Sequence, residues 1–177
     1  GYIVLGISMA SVLGIAAGLV HLFNHALIKA GLFMAVGCVF MRIGSAKISD
    51  MKGLGQIMPF TMSAFIAGGI GLIGVPLTAG FISKWNFLAS AIEKGWWLSI
   101  TAILISSLLA VVYVWRVVEA AYFQSRNETA QSVSEAPWLM LAPMWILIVV
   151  SIFFGINGTV TMNIAIGGAK TLLGGMQ

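Results

Sequence analysis

His21-Leu22-Phe23-Asn24-His25-Ala26-Leu27-Ile28-Lys29 sits inside a nearly unbroken run of apolar residues that extends from residue 1 to residue 42. Positions four apart on an α-helix lie nearly above one another, so His21, His25 and Lys29 form one polar seam about three turns long. Ionisable groups inside hydrocarbon are costly and usually face a protein or water interior. Groups that gain and lose protons, aligned within a membrane, point to proton movement. Interhelical hydrogen bonding is the plainer role open to either histidine alone. Lys29 in register adds a third costly group on the same face, which asks for a common explanation, and Asn24 stands beside the seam.

Composition sets the class. Of 177 residues, 60% are hydrophobic and only 8% charged, against about 45–50% apolar and about 25% charged in a soluble domain. That shortage of charge identifies an integral membrane protein. Long apolar segments without an alternating strand pattern argue for helices over an outer-membrane barrel. The net charge of +4 falls partly at span ends, where it reflects topology rather than nucleic-acid binding. Cys38 is the only cysteine, so no internal disulfide or cysteine-based metal cluster is available, and it reads as a small apolar residue. The opening Gly1-Tyr2-Ile3-Val4 reads as the tail of a helix that begins upstream, so a fragment is expected.

Residues 1–42 as one helix would run roughly 63 Å, about twice the hydrocarbon thickness. Two spans are expected there, with the small-residue stretch Gly14-Ile15-Ala16-Ala17-Gly18 as the turn. A polar loop from Arg42 to Met58 follows, and Pro59 suits the first position of the next helix. Residues 59–94 again exceed one span, and Gly74, Pro76 and Gly80 are expected to break them. A long span over 97–124, a soluble loop over 125–136 and a last span from Pro137 to about Asn157 complete a bundle of about six spans over residues 1–157. The glycine-rich tail, 158–177, is expected to be a short interfacial helix or disordered.

Lys84 falls roughly halfway through the short span after the break. Irregular backbone at membrane depth survives only where it is buried in protein or lines a wet cavity, and broken helices carrying a charge recur in transporters. A lysine snorkelling to the headgroups is the alternative. Thr61, Ser63, Ser106 and Ser107 read as helix-packing residues, and the cluster Gly68, Gly69, Gly71 as close helix packing. No catalytic constellation stands out: Asp50 is the only aspartate, and the His21–His25 spacing lacks the glutamate of a zinc-protease helix.

Three motifs in order carry a family resemblance: His21-Leu-Phe-Asn-His25-Ala-Leu-Ile-Lys29-Ala-Gly-Leu-Phe; then Asp50-Met-Lys-Gly-Leu-Gly with Met58-Pro59; then Gly74-Val-Pro-Leu-Thr-Ala-Gly-Phe-Ile-Ser-Lys84-Trp85. The series resembles the antiporter-like, proton-pumping subunits shared by respiratory complex I, membrane-bound hydrogenases and Mrp-type Na+/H+ antiporters. The last motif looks most like the D-type component of the Mrp antiporters. The resemblance implies an all-α polytopic bundle corresponding to the second of two inverted repeats, with one broken helix. It implies proton translocation through His21, His25, Lys29 and Lys84, with Lys84 as the central lysine of the broken helix. It implies as partners other membrane subunits of one complex, the N-terminal half of the same fold, the bilayer, protons and Na+. It places the protein in a bacterial inner membrane. No flavin, quinone or iron–sulfur ligand set is visible, so no cofactor is expected and redox chemistry would belong to partner subunits.

Overall fold

In the computed structural model, which describes residues 1–125 and 133–174, every regular element is helical. The elements are α1 (Tyr2–Ser8), α2 (Val12–Ile43), a 3-10 turn (Ile48–Met51), α3 (Leu54–Ile57), α4 (Pro59–Ile73), α5 (Ala79–Glu93), α6 (Trp97–Val118, running on into a π-helical turn, Glu119–Phe123), α7 (Trp138–Ile156) and α8 (Gly158–Gly174). Val12–Ile43, Trp97–Phe123 and Trp138–Ile156 are long and apolar enough to cross a membrane; Pro59–Ile73 is a shorter apolar helix. Most of the soluble stretch expected as a loop, 126–132, and the last three residues lie outside the described residues.

α2 is the hub: α1, α4, α5, α7 and α8 all pack against it, while α6 packs on α4 and α5. At 32 residues it runs roughly 48 Å, longer than about 30 Å of hydrocarbon. Ser11 caps its start by accepting from the Gly14 amide at 3.1 Å, and Gly44, with φ at +68°, ends it.

The expected turn at Gly14–Gly18 does not exist; these residues are helical, inside α2. The chain reverses upstream at Met9–Ser11, where Ala10 takes φ at +44°. The small side chains serve close approach instead. A Cβ on Gly6 would lie 2.6 Å from the Gly14 carbonyl oxygen and 3.0 Å from the Gly18 Cα, so α1 lies against α2 backbone to backbone. The next face of the same segment, Ile15, Ala16 and Val20, receives Ala165 and Ala169 of α8. The tail is helical through Gly174, one of the two forms expected for it, and packs on the hub. The Gly68, Gly69, Gly71 cluster is close helix packing as expected: a Cβ on Gly69 would meet Val114 of α6 at 2.8 Å.

The broken helix differs from expectation at one residue. α4 ends at Gly74, in the left-handed region at φ +85°, and α5 starts at Ala79 behind Thr78, whose hydroxyl oxygen accepts from the Phe81 amide. Gly74 and Pro76 thus lie in the interruption, but Gly80 lies in the first turn of α5. Its role is contact: a Cβ there would stand 2.0 Å from the Gly71 carbonyl oxygen of α4. Gly155 of α7 completes the seat, since a Cβ on it would lie 2.4 Å from the Leu77 carbonyl oxygen.

At its other end α4 is capped from a distance. Glu135 accepts from the Phe60 amide at 2.8 Å, the Thr61 amide at 3.4 Å and the Thr61 hydroxyl at 2.6 Å. Arg42, in the last turn of α2, donates to the Glu135 backbone carbonyl. A carboxylate at a helix N-terminus meets unpaired amides and the positive end of the helix dipole.

Three substitutions test this packing and capping in the full-length protein. Gly80→Ala is expected to cost at least the upper end of the about 1–3 kcal/mol typical of overpacking, seen as lost assembly on native gels, whereas Gly167→Ala, with open space at its Cβ, is tolerated. Glu135→Ala is expected to lower stability by about 1–2 kcal/mol, read as earlier thermal unfolding in detergent.

Candidate functional site

The polar groups converge where α1, α2, α5 and α6 meet beside the helix break. α2 supplies His21 and Asn24, both buried, and His25 and Lys29, both half-buried. α5 supplies Ser83 and Lys84, both buried. α6 supplies Ser106 and Ser107, and α1 supplies Tyr2.

Lys84 turns back toward the helix it follows. Its ammonium donates to the carbonyls of Leu72 at 3.0 Å and Ile73 at 2.8 Å, and to Ser107 Oγ at 3.0 Å. The last carbonyls of a helix have no intrahelical donor and carry the negative end of the dipole. The break thus creates acceptors, and Lys84 is the donor that meets them. Three N–H groups meet three acceptors, the full capacity of an ammonium. Lys84 and Ser107 also line a cavity of about 510 Å³, otherwise walled by apolar residues such as Phe81, Trp85 and Leu108.

His21 is held by one hydrogen bond and three rings. Its Nδ1 lies 2.9 Å from Ser83 Oγ, and Ser83 Oγ lies 3.2 Å from the Gly80 carbonyl oxygen. The serine has a single proton, so two arrangements exist. If it goes to Gly80, the histidine carries hydrogen on Nδ1; if it goes to His21, Nδ1 is the acceptor. The His21 ring centroid lies 4.9 Å from Tyr2, 5.5 Å from Phe87 and 5.4 Å from His25. Asn24 donates to the Ala79 carbonyl at 2.7 Å, anchoring the start of α5 to the hub.

The structure therefore brings His21, His25 and Lys84 into one neighbourhood. Lys29 stands one turn further along the seam, its ammonium 5.8 Å from the Phe33 ring centroid, with no hydrogen bond to either histidine among the described residues. Four residues join the group that sequence reasoning does not assign to it. Ser83 directly precedes Lys84 and is legible only by adjacency. Ser106 and Ser107, expected as packing residues, are hydrogen-bonding partners of Tyr2 and Lys84 respectively. Tyr2 carries one signal, a phenol hydroxyl near the start of a mostly apolar first segment.

Comparison with known proteins fits this geometry. Residues 1–110 match the family described as NADH:quinone oxidoreductase/Mrp antiporter, TM. NADH-quinone oxidoreductase subunit N of Desulforudis audaxviator is 43% identical over 124 residues, 70% of this chain and 25% of that protein. The A/B component of a probable K(+)/H(+) antiporter of Rhizobium meliloti is 32% identical over 162 residues, 88% of this chain and 16% of that one. A chain in the structure of the Mrp complex from Dietzia sp. DQ12-45-1b superposes with a TM-score of 0.89 at 20% identity, over 97% of this chain and 40% of that one. The chain thus spans a quarter or less of the length of these two sequence relatives, and it shares the fold of the Mrp chain it superposes on. With its apolar spans, polar seam and lysine-capped helix break, this integral membrane chain belongs to the NADH:quinone oxidoreductase/Mrp antiporter transmembrane family.

Proposed function

We propose that this chain is the part of a proton-translocating subunit, in a multisubunit monovalent cation/proton antiporter of the Mrp type, that moves protons along His21, His25, Lys29 and Lys84. The observation that carries the reading is the seat of Lys84 on the carbonyls of Leu72 and Ile73, beside a cavity and next to the seam. A lysine there has two workable states in nearly one geometry. As an ammonium it donates to both carbonyls and to Ser107. As a neutral amine it keeps two donors for the carbonyls, and its lone pair accepts from the Ser107 hydroxyl, which reverses direction. Proton gain and loss then need a hydroxyl rotation rather than a backbone movement.

His21 offers the same economy through Ser83. Its ring can switch which nitrogen is protonated while the serine proton moves between Gly80 and Nδ1. His25 continues the seam toward Lys29, with water bridging the longer gaps. Charge arriving at one site biases occupancy at the next, so a distant driver can act on Lys84 through the seam. On this reading the partners are the remaining length of the same subunit, other membrane subunits of the complex, and the bilayer of a bacterial inner membrane. Protons are the cargo, with Na+ as the exchanged ion.

A second reading is favoured by the 43% identity to a NADH-quinone oxidoreductase subunit. Here the same fold serves as an antiporter-like pumping subunit of a redox-driven complex. Genes flanking this one separate the two: small antiporter subunits for the first, peripheral redox subunits for the second.

In the intact complex, Lys84→Ala is expected to abolish driven proton movement while assembly persists, followed with a pH-sensitive dye in membrane vesicles. Near-normal acidification by an assembled Lys84→Ala complex would sink the proposal. His25→Ala and Lys29→Ala should each impair transport, and the double variant should be little worse than the more damaging single one. Links of one relay are non-additive; independent multiplicative losses would argue for separate structural roles.

A further inference from the structure

His21 and Lys84 are close neighbours with no hydrogen bond between them, and one side chain stands against both. The Tyr2 ring centroid lies 4.9 Å from that of His21 and 5.8 Å from Lys84 Nζ. It also stacks with the fully buried Phe87, centroids 5.6 Å apart and planes at 26°, and Phe87 in turn touches His21. The Tyr2 hydroxyl reaches α6, where it pairs with Ser106 Oγ and donates to the Ile103 carbonyl at 3.3 Å. Consecutive serines of α6 thus hold two different things: Ser106 holds the tyrosine and Ser107 holds the lysine.

An aromatic face has no exchangeable proton, and a ring packed against His21 and Phe87 leaves little room for bridging water. A proton passing directly between His21 and Lys84 on the side that Tyr2 covers meets this ring. α1, which carries Tyr2, spans Tyr2–Ser8 among the described residues. Its position depends on the Gly6 contact with α2 and on the hydroxyl bond to α6. We propose that Tyr2 is a positioning residue that separates His21 from Lys84, held closed by its hydroxyl bond to Ser106, so that protons cross only when α1 and α6 shift relative to one another. This rests on the reading that both groups carry protons. A separator of this kind prevents the two sites from equilibrating between strokes, which any coupled transporter must do to avoid leakage.

The test uses the intact complex in sealed vesicles, measuring passive proton leak under an imposed pH gradient with the driver off, and driven transport with it on. Losing one hydrogen bond raises the population of the released ring about fivefold. Ser106→Ala, which leaves the bond to the Ile103 carbonyl, should therefore raise the leak about fivefold; Tyr2→Phe, which removes both bonds, should raise it at least as much, and the double variant no more than Tyr2→Phe alone. Tyr2→Leu, which removes the ring face, should leak more than Tyr2→Phe. Adding Lys84→Ala to Tyr2→Phe should return the leak to the wild-type level, because the path runs through the lysine. Wild-type leak in assembled complexes of both Tyr2→Phe and Ser106→Ala would overturn the proposal. So would a leak that persists without Lys84, or a Tyr2→Leu complex that loses driven transport with no leak, which would make Tyr2 a relay. Full driven transport in Lys84→Ala alone would instead sink the underlying reading.

Discussion

A helix that stops inside a membrane protein leaves carbonyls with no donor, and in an apolar surrounding each such group is expensive to leave unpaired. Here that constraint falls on Leu72 and Ile73, and Lys84 answers it. Much of the neighbouring structure follows. Gly74 turns the chain, Gly80 lets α5 come close enough for the lysine to reach back, and Gly155 lets the interruption press into α7. Asn24 fixes the first residue of α5 to the hub, so the distance from α5 to the seam on α2 is set as well. The charge is there because the backbone is broken, and the break is tolerated because the charge is there.

α2 performs two tasks along one length. Its first half is small on the faces that take α1 and α8, so neighbouring backbones approach closely. The seam then begins at His21, directly after Val20 of that packing face. Close packing at one level fixes the orientation of the ionisable groups at the next, since a helix rotates as a unit. The aromatic setting of His21, against Tyr2 and Phe87, depends on that same seating of α1.

The class and the main site are legible in the sequence because their signals are costly: charge scarcity across the chain, three ionisable groups at four-residue spacing, and a lysine after Gly74 and Pro76. The misreadings share one cause. Glycine and alanine permit both turns and close helix contact, and sequence alone cannot say which use is made of them. Gly14–Gly18 reads as a turn and is a packing face, while the reversal falls on Met9–Ser11, where no glycine or proline marks it. Gly80 reads as part of the break and is a contact with Gly71. Ser106, Ser107 and Tyr2 are hidden for another reason. Their importance lies entirely in partners 23 to 104 residues away in sequence, which no local pattern encodes.

The two ends of α4 have a consequence for how the helix sits in the bilayer. Pro59 has no amide hydrogen, Phe60 and Thr61 donate to Glu135, and Met62 donates to the Met58 carbonyl at 2.9 Å. At the far end Ile70 accepts from Gly74 and Val75, and Lys84 takes the last two carbonyls. Both termini are met largely by protein groups, which reduces their need for water or headgroups. A helix of 15 residues, roughly 22 Å long, is too short to cross about 30 Å of hydrocarbon. Capped in this way it has less need to cross it, and its ends can rest at a depth where an open helix terminus would be untenable.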